Sequence, residues 1–231
     1  MKKLVVFILS IIFLVFSCWV HTKADEIMQI QQLKRLTNIG DSDEIIRLIE
    51  NASQQGLPIE GLLNKVKEGN AKRIEREKIL NVLYNRKRLL LKAQELIERG
   101  EQRGLRVWDS NKKESIESFA QSMDEGVDIN DIENFMQQVI NNNDDIQYLT
   151  RSSSAFAELL KVKISRSIIK DLITLAIEKR VDINAYSELV DFMIEAKQYD
   201  YPLQEVSDKL KQGMQNGQDL RSLIFDIKFS R

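Results

Sequence analysis

Apolar residues recur at three- and four-residue spacing along most of the chain, which places them on one face of an α-helix. Behind an apolar run at the N-terminus, Ile27, Ile30, Leu33 and Leu36 predict a helix over 25–37, and Asp41-Ser42-Asp43-Glu44 reads as a capping box. Ile45, Ile46, Leu48 and Ile49 carry a second helix to about Gln55. Gly56 supplies its left-handed stop, and Pro58 pre-sets the first turn of a third helix that ends near Gly69. A long fourth helix is expected over 74–99, with Ile79, Leu83, Leu90, Ala93 and Ile97 as its stripe and Val82, Leu89, Leu91 and Leu96 widening it. A cap at Asp109-Ser110-Asn111 introduces helices expected over 112–124, 131–141, 154–164, 167–179, 185–198, 202–215 and 219–227. Phe119, Phe135, Phe156, Phe192 and Phe225 fall within these apolar patterns and read as core.

One stretch occurs twice. Gly56-Leu57-Pro58-Ile59 through Gly69 returns as Asp200-Tyr201-Pro202-Leu203 through Gly213, 144 residues on and without a gap. Pro58/Pro202, Lys65/Lys209, Lys67/Lys211 and Gly69/Gly213 are identical, and Ile79/Leu223 match in kind. The connector alone recurs at Gly126-Val127-Asp128-Ile129 and Arg180-Val181-Asp182-Ile183, at spacings that look too uneven for a regular solenoid. The fold expected is all-α: an irregular multi-helix bundle or stacked helical hairpins with a pseudo-repeat. It occupies a single domain over 25–231, with related segments 41–80 and 185–224. The Gly-h-Pro-h-x-x-h-h-x-Lys-h-x-Glu-Gly pattern (h, apolar) of Gly56 to Gly69 resembles that of uncharacterised exported helical proteins of bacteria. The resemblance implies a helical fold and an extracytoplasmic compartment, and brings no activity with it.

The N-terminus carries the same implication independently. Lys2-Lys3 followed by apolar residues from Leu4 to Phe16, broken only by Ser10, has the form of a signal peptide over 1–24. Val15-Phe16-Ser17-Cys18 resembles a bacterial lipobox, which would make Cys18 a lipidated mature N-terminus. Cleavage after Ala24 and an uncleaved anchor helix are the alternatives. Cys18 is the only cysteine, so no intramolecular disulfide is available and stability must come from core burial.

Composition narrows the chemistry further. The 231 residues are 43 % hydrophobic and 30 % charged, with 9 glycines and 2 prolines, which suits a helical core and disfavours a turn-rich β fold. The net charge of −1 hides a segregation: residues 65–113 hold 15 Lys/Arg against 7 Asp/Glu, whereas 114–150 hold 9 Asp/Glu and no cation. The two blocks can pair with one another, or the basic one can face an anionic partner. Within it Arg86, Lys87, Arg88 and Lys92 are the candidate contacts for an anion or partner.

His21 is the only histidine and lies in the export segment, which removes Ser-His-Asp and Cys-His catalysis and His/Cys zinc sites. No glycine-rich phosphate loop occurs. Glu114-Ser115 matches two residues of the lytic transglycosylase acid motif without the rest of it, and Glu114 is better read as a first-turn carboxylate. The acidic run Asp124 to Glu133 departs from EF-hand spacing, and its Asp128 and Asn130 suit a helix start. No catalytic residue, metal or cofactor is expected. The sequence therefore points to a non-enzymatic envelope protein, anchored through its N-terminus and docking an envelope protein partner, with nucleic acid an unsuitable ligand. A carboxylate-dependent cell-wall enzyme, and a binder of an anionic polymer or lipid surface through 65–113, are the alternatives.

Overall fold

The computed structural model describes residues 25–35 and 43–229. Cys18, His21 and the export segment lie outside the described residues, as do Asp41 and Ser42 of the capping box. The described residues form eleven helices and no strand, with one isolated bridge between Arg106 and Asp145. The protein is all-α. None of these helices is long and apolar enough to cross a membrane.

Where the sequence suggests one domain, the backbone contacts gather into two compact units, 1–87 and 88–231. The first contains α1 (25–35), α2 (Glu44–Gln54), α3 (Glu60–Ala71) and the beginning of α4 (Arg76–Gln102). Asp43 is the residue that caps α2, accepting the Ile45 amide at 2.9 Å. Ile45, Ile46, Ile49, Leu57, Leu62, Val66 and Leu83 are fully buried, so the 3.6-residue periodicity of each helix becomes one apolar core. Ser53 Oγ donates to Glu26 at 2.6 Å, joining α1 to α2. Arg76 pairs with Asp43 at 2.7 Å and the Tyr84 hydroxyl donates to Glu44 at 2.7 Å, joining α4 to α2.

The second unit contains the rest of α4, α5 (Asp109–Asp124), α6 (Ile129–Asn141), α7 (Ile146–Lys161), α8 (Arg166–Glu178), α9 (Ala185–Gln198), α10 (Leu203–Gln215) and α11 (Leu220–Phe229). It is built in two layers. Helices α6, α8 and α10 pack in succession in one, and α5, α7, α9 and α11 in the other. Phe119, Phe135, Phe156 and Phe192 are buried within it, as their spacing predicts. Phe225 is not: it is 61 % exposed on the last helix, its ring 4.5 Å from that of Phe229.

Nine corners between described helices close alike. A residue with positive φ (Gly56, Arg73, Gly104, Gly126, Asn143, Lys163, Arg180, Asp200 and Gly217) ends each one. The amide of the next residue then bonds a carbonyl five residues back, from Leu57 to Ala52 at 3.1 Å through Gln218 to Gly213 at 3.0 Å. This is the Schellman closure, which satisfies carbonyls that a helix end leaves orphaned. Only four of the nine residues are glycine. The others adopt a backbone that L-residues normally avoid, so the corner recurs without its usual sequence signal.

Of the two expected arrangements, the corners favour stacked hairpins in the second unit, on a period the connector spacings do not reveal. Gly126, Lys163 and Asp200 stand 37 residues apart, as do Asn143, Arg180 and Gly217. The unit is therefore a stack of helical hairpins on a 37-residue period, partly hidden because Lys163 does not look like a stop and Asn143 is one of several polar residues in a row. The 144-residue relation holds as well. Gly56 corresponds to Asp200 and Arg73 to Gly217, each pair sharing positive φ with the glycine in opposite copies.

Other boundaries move. Gly69, expected near the end of its helix, lies inside α3, while Gly213 lies inside α10 as its spacing predicts; both are buried where a Cβ would come within 2.7 Å of Ile79 and 2.4 Å of Leu223, respectively. Their job is close packing. Helix α5 begins at Asp109, so the expected cap residues are helical and Glu114 sits in the second turn. Helix α7 starts eight residues before its expected beginning, with Asp145 accepting the Gln147 amide at 3.0 Å. Val82, expected on the apolar stripe of α4, is 48 % exposed.

Candidate functional site

Small hydroxyl residues face one another where α5 packs on α7. Ser115, Ser118 and Ser122 fall on one face of α5, and their short side chains let the two helices approach. The Ser118 and Ser154 hydroxyls are 3.0 Å apart. Thr150 Oγ1 lies 3.2 Å from Ser115 Oγ and donates at 2.7 Å to the Ile146 carbonyl. Above these hydroxyls opens a groove of about 240 Å³, with Glu114 and Arg151 among its lining and Asn184 at the start of α9 closing one side. It offers neutral donors and acceptors, one carboxylate and one guanidinium. Glycoside hydrolysis generally uses two carboxylates, and Glu114 is the only one lining this groove.

A second recess, of about 300 Å³, lies between the start of α7 and the α8–α9 corner. Its charges are engaged: Arg180 pairs with Asp144 at 3.0 Å, and the Arg106 guanidinium donates to the Asn143 carbonyl. The Tyr148 hydroxyl donates to the Val181 carbonyl at 2.6 Å, and Ser152 Oγ donates to the Tyr186 hydroxyl at 3.1 Å. Burial pushes Tyr148 up to about 12 and Tyr186 well above its ordinary value. Both hydroxyls therefore stay protonated at neutral pH, Tyr148 as a donor and Tyr186 as the partner of Ser152, and tie hairpin to hairpin.

The four cations singled out from the sequence do not form one patch. Arg86, a candidate contact, is 5 % exposed and belongs to the buried side of α4. Lys87 is half-buried, its ammonium donating to Asn51 Oδ1. Arg88 and Lys92 are exposed, one turn apart, in the second unit. The charge-segregated blocks meet at Arg99 and Glu133, 2.7 Å apart. Other carboxylates of 114–150 look one hairpin onward. Glu125 pairs with Lys161 at 2.5 Å, Asp131 with Arg166 and Lys170 at 2.6 and 2.8 Å, and Asp144 with Arg180. Asp128 caps α6 by accepting the Asn130 amide at 2.8 Å. The acidic run thus serves helix starts and hairpin stacking.

The hydroxyl groove escaped sequence reasoning because serines at helical spacing look like ordinary solvated positions. The available signal was Ser115, Ser118 and Ser122 on one helix together with Ser152-Ser153-Ser154 on another. Comparison with protein-family models, with curated proteins and with solved structures finds no match to this chain.

Proposed function

We propose that this is a non-enzymatic protein of the bacterial envelope, exported by its N-terminal segment, held to the membrane by a lipid on Cys18, and docking another envelope protein. The observation that carries the docking reading is the layer α5–α7–α9–α11, in which successive hairpins line up one face and leave the hydroxyl groove open across α5 and α7. Stacked hairpins characteristically offer extended surfaces of this kind to other chains. Serine, threonine and asparagine groups suit the backbone and polar side chains of a bound segment.

Photo-crosslinking in the native envelope tests the reading, with probes at Glu114 and Arg151 and a control probe at Asp208 on α10. One recurring protein partner at the first two positions, absent at the third, is the expected result. Equal labelling at all three positions, or none, rejects the groove as a docking face. The anchor is checked separately by incorporation of labelled palmitate, which Cys18→Ala should abolish.

A further inference from the structure

In the first unit, the corner joining α3 to α4 holds a groove of about 300 Å³. Gly69 and Ile79 form its floor, packed so closely that a Cβ on Gly69 would meet Ile79 at 2.7 Å. Ile74 and Val82 line it while 44 % and 48 % exposed, leaving apolar surface in water. Lys65, Lys72 and Lys78 line it too, against one carboxylate, Glu68. Among the described residues those charges form local pairs, Lys72–Glu68 at 2.6 Å, Lys65–Glu68 at 3.6 Å and Lys78–Glu75 at 3.0 Å. Such exposed pairs exchange cheaply for a partner's carboxylates. Over 65–78 the chain carries six Lys/Arg and three Glu.

The equivalent corner 144 residues on shows what the fold itself needs. The backbone is the same: positive φ at Arg73 and Gly217, a helical glycine packed on Ile79 or Leu223, and a 6→1 closure at 2.9 or 3.0 Å. The decoration differs. Ile74, Val82, Lys72 and Lys78 are replaced by Gln218, Asp226, Asn216 and Ser222. Gln218 folds over the glycine, its Oε1 2.9 Å from where a Cβ would stand, whereas the three atoms nearest the corresponding point at Gly69 all belong to Ile79. The second corner is thus polar and covered, the first apolar, basic and open.

We infer that the α3–α4 groove docks an acidic, amphipathic helical segment of a partner protein. Its apolar side chains enter between Ile74 and Val82, and its carboxylates meet Lys65, Lys72 and Lys78. A recess of this size takes one or two side chains of a helix laid across it, whereas a flat lipid surface would not reach its floor. The inference concerns a different unit from the hydroxyl groove and stands or falls without it.

The test is selection of random peptides of about 16 residues, long enough for a helical face, on immobilised full-length protein. Counter-selection uses Ile74→Gln/Val82→Asp, which installs the residues of the second corner. Enriched peptides should be net negative, with Leu, Ile, Phe or Met at three- and four-residue spacing. Their affinity should fall about tenfold or more in the counter-selecting variant, and again in Lys65→Glu/Lys72→Glu/Lys78→Glu, which leaves the floor intact. Melting curves that overlay wild type establish that each variant folds. Enriched peptides that are neutral or basic, that bind the variants equally well, or that never appear overturn the proposal. So does flotation of wild type, but not variant, with phosphatidylglycerol vesicles, which would make the occupant a lipid. Self-association lost in the variant would make it a second copy of this chain.

Discussion

At the scale of single residues, two helical glycines and two tyrosines carry consequences that can be measured. Gly69 and Gly213 are identical in the two copies because each lets a branched side chain from the following helix rest on its backbone. Gly69→Ala should destabilise the protein by roughly 1–3 kcal/mol through overpacking, measured by urea unfolding. Pairing it with Ile79→Ala, which makes room, should return less than the sum of the two single losses. Additive losses would show that Ile79 simply swings aside. Tyr148 and Tyr186 bear on pH. Below pH 10 both states of the chain keep these protons, so their contribution is complete. As pH rises the unfolded chain releases them first, and stability falls by up to about 1.4 kcal/mol per pH unit per tyrosine until the folded-state value is passed. For Tyr148 that window runs from 10.0 to about 12. Tyr148→Phe should lower stability at pH 8, where the bond to Val181 is lost, while flattening the fall above pH 10. An unchanged alkaline slope would mean that burial of Tyr148 does not govern it.

At the scale of helices, Asp131 links one hairpin to the next. It is 6 % exposed on α6 and receives Arg166 at 2.6 Å and Lys170 at 2.8 Å from the start of α8. Removing the carboxylate abolishes both ion pairs, but the two cations are half-exposed and rehydrate. Asp131→Ala should therefore cost about 1–2 kcal/mol, below the range for fully buried pairs, and Arg166→Met less, since Lys170 remains. Loss of hydrogen-exchange protection confined to the first turn of α8 would locate the effect, and a loss spread evenly over the unit would argue against it. The helices were largely legible in the sequence because one apolar face per element leaves a 3.6-residue trace, as in α9, whose expected 185–198 matches its observed span. Corners were less legible. Gly56, Gly126 and the connector at Arg180 announce themselves, whereas Asn143 and Lys163 reach the same backbone without the connector pattern around them. The start of α7 was missed for a related reason: Asp145 looked like one more residue of a polar run instead of a cap. Neither groove could be read locally, since each depends on residues that only packing brings together.

At the scale of the molecule, stacking on a fixed period makes stability a sum over neighbours. The hairpin α8–α9 packs against helices on both sides, whereas α11 packs on α9 and α10 and leaves Phe225 and Phe229 in water. Amide exchange should accordingly be slowest in α7 to α9 and fastest in α11, and a uniform rate across α7 to α11 would mean that the unit opens as one block instead. The identical corners at Lys163 and Asp200 have one more consequence. A deletion that removes 164–200 brings Lys163 to the position of Asp200, splicing one left-handed corner onto the next with every downstream helix still in phase. The length of this chain is therefore effectively quantised: whole hairpins can be gained or lost in one step, while changes of a few residues within a helix would throw the following layer out of register.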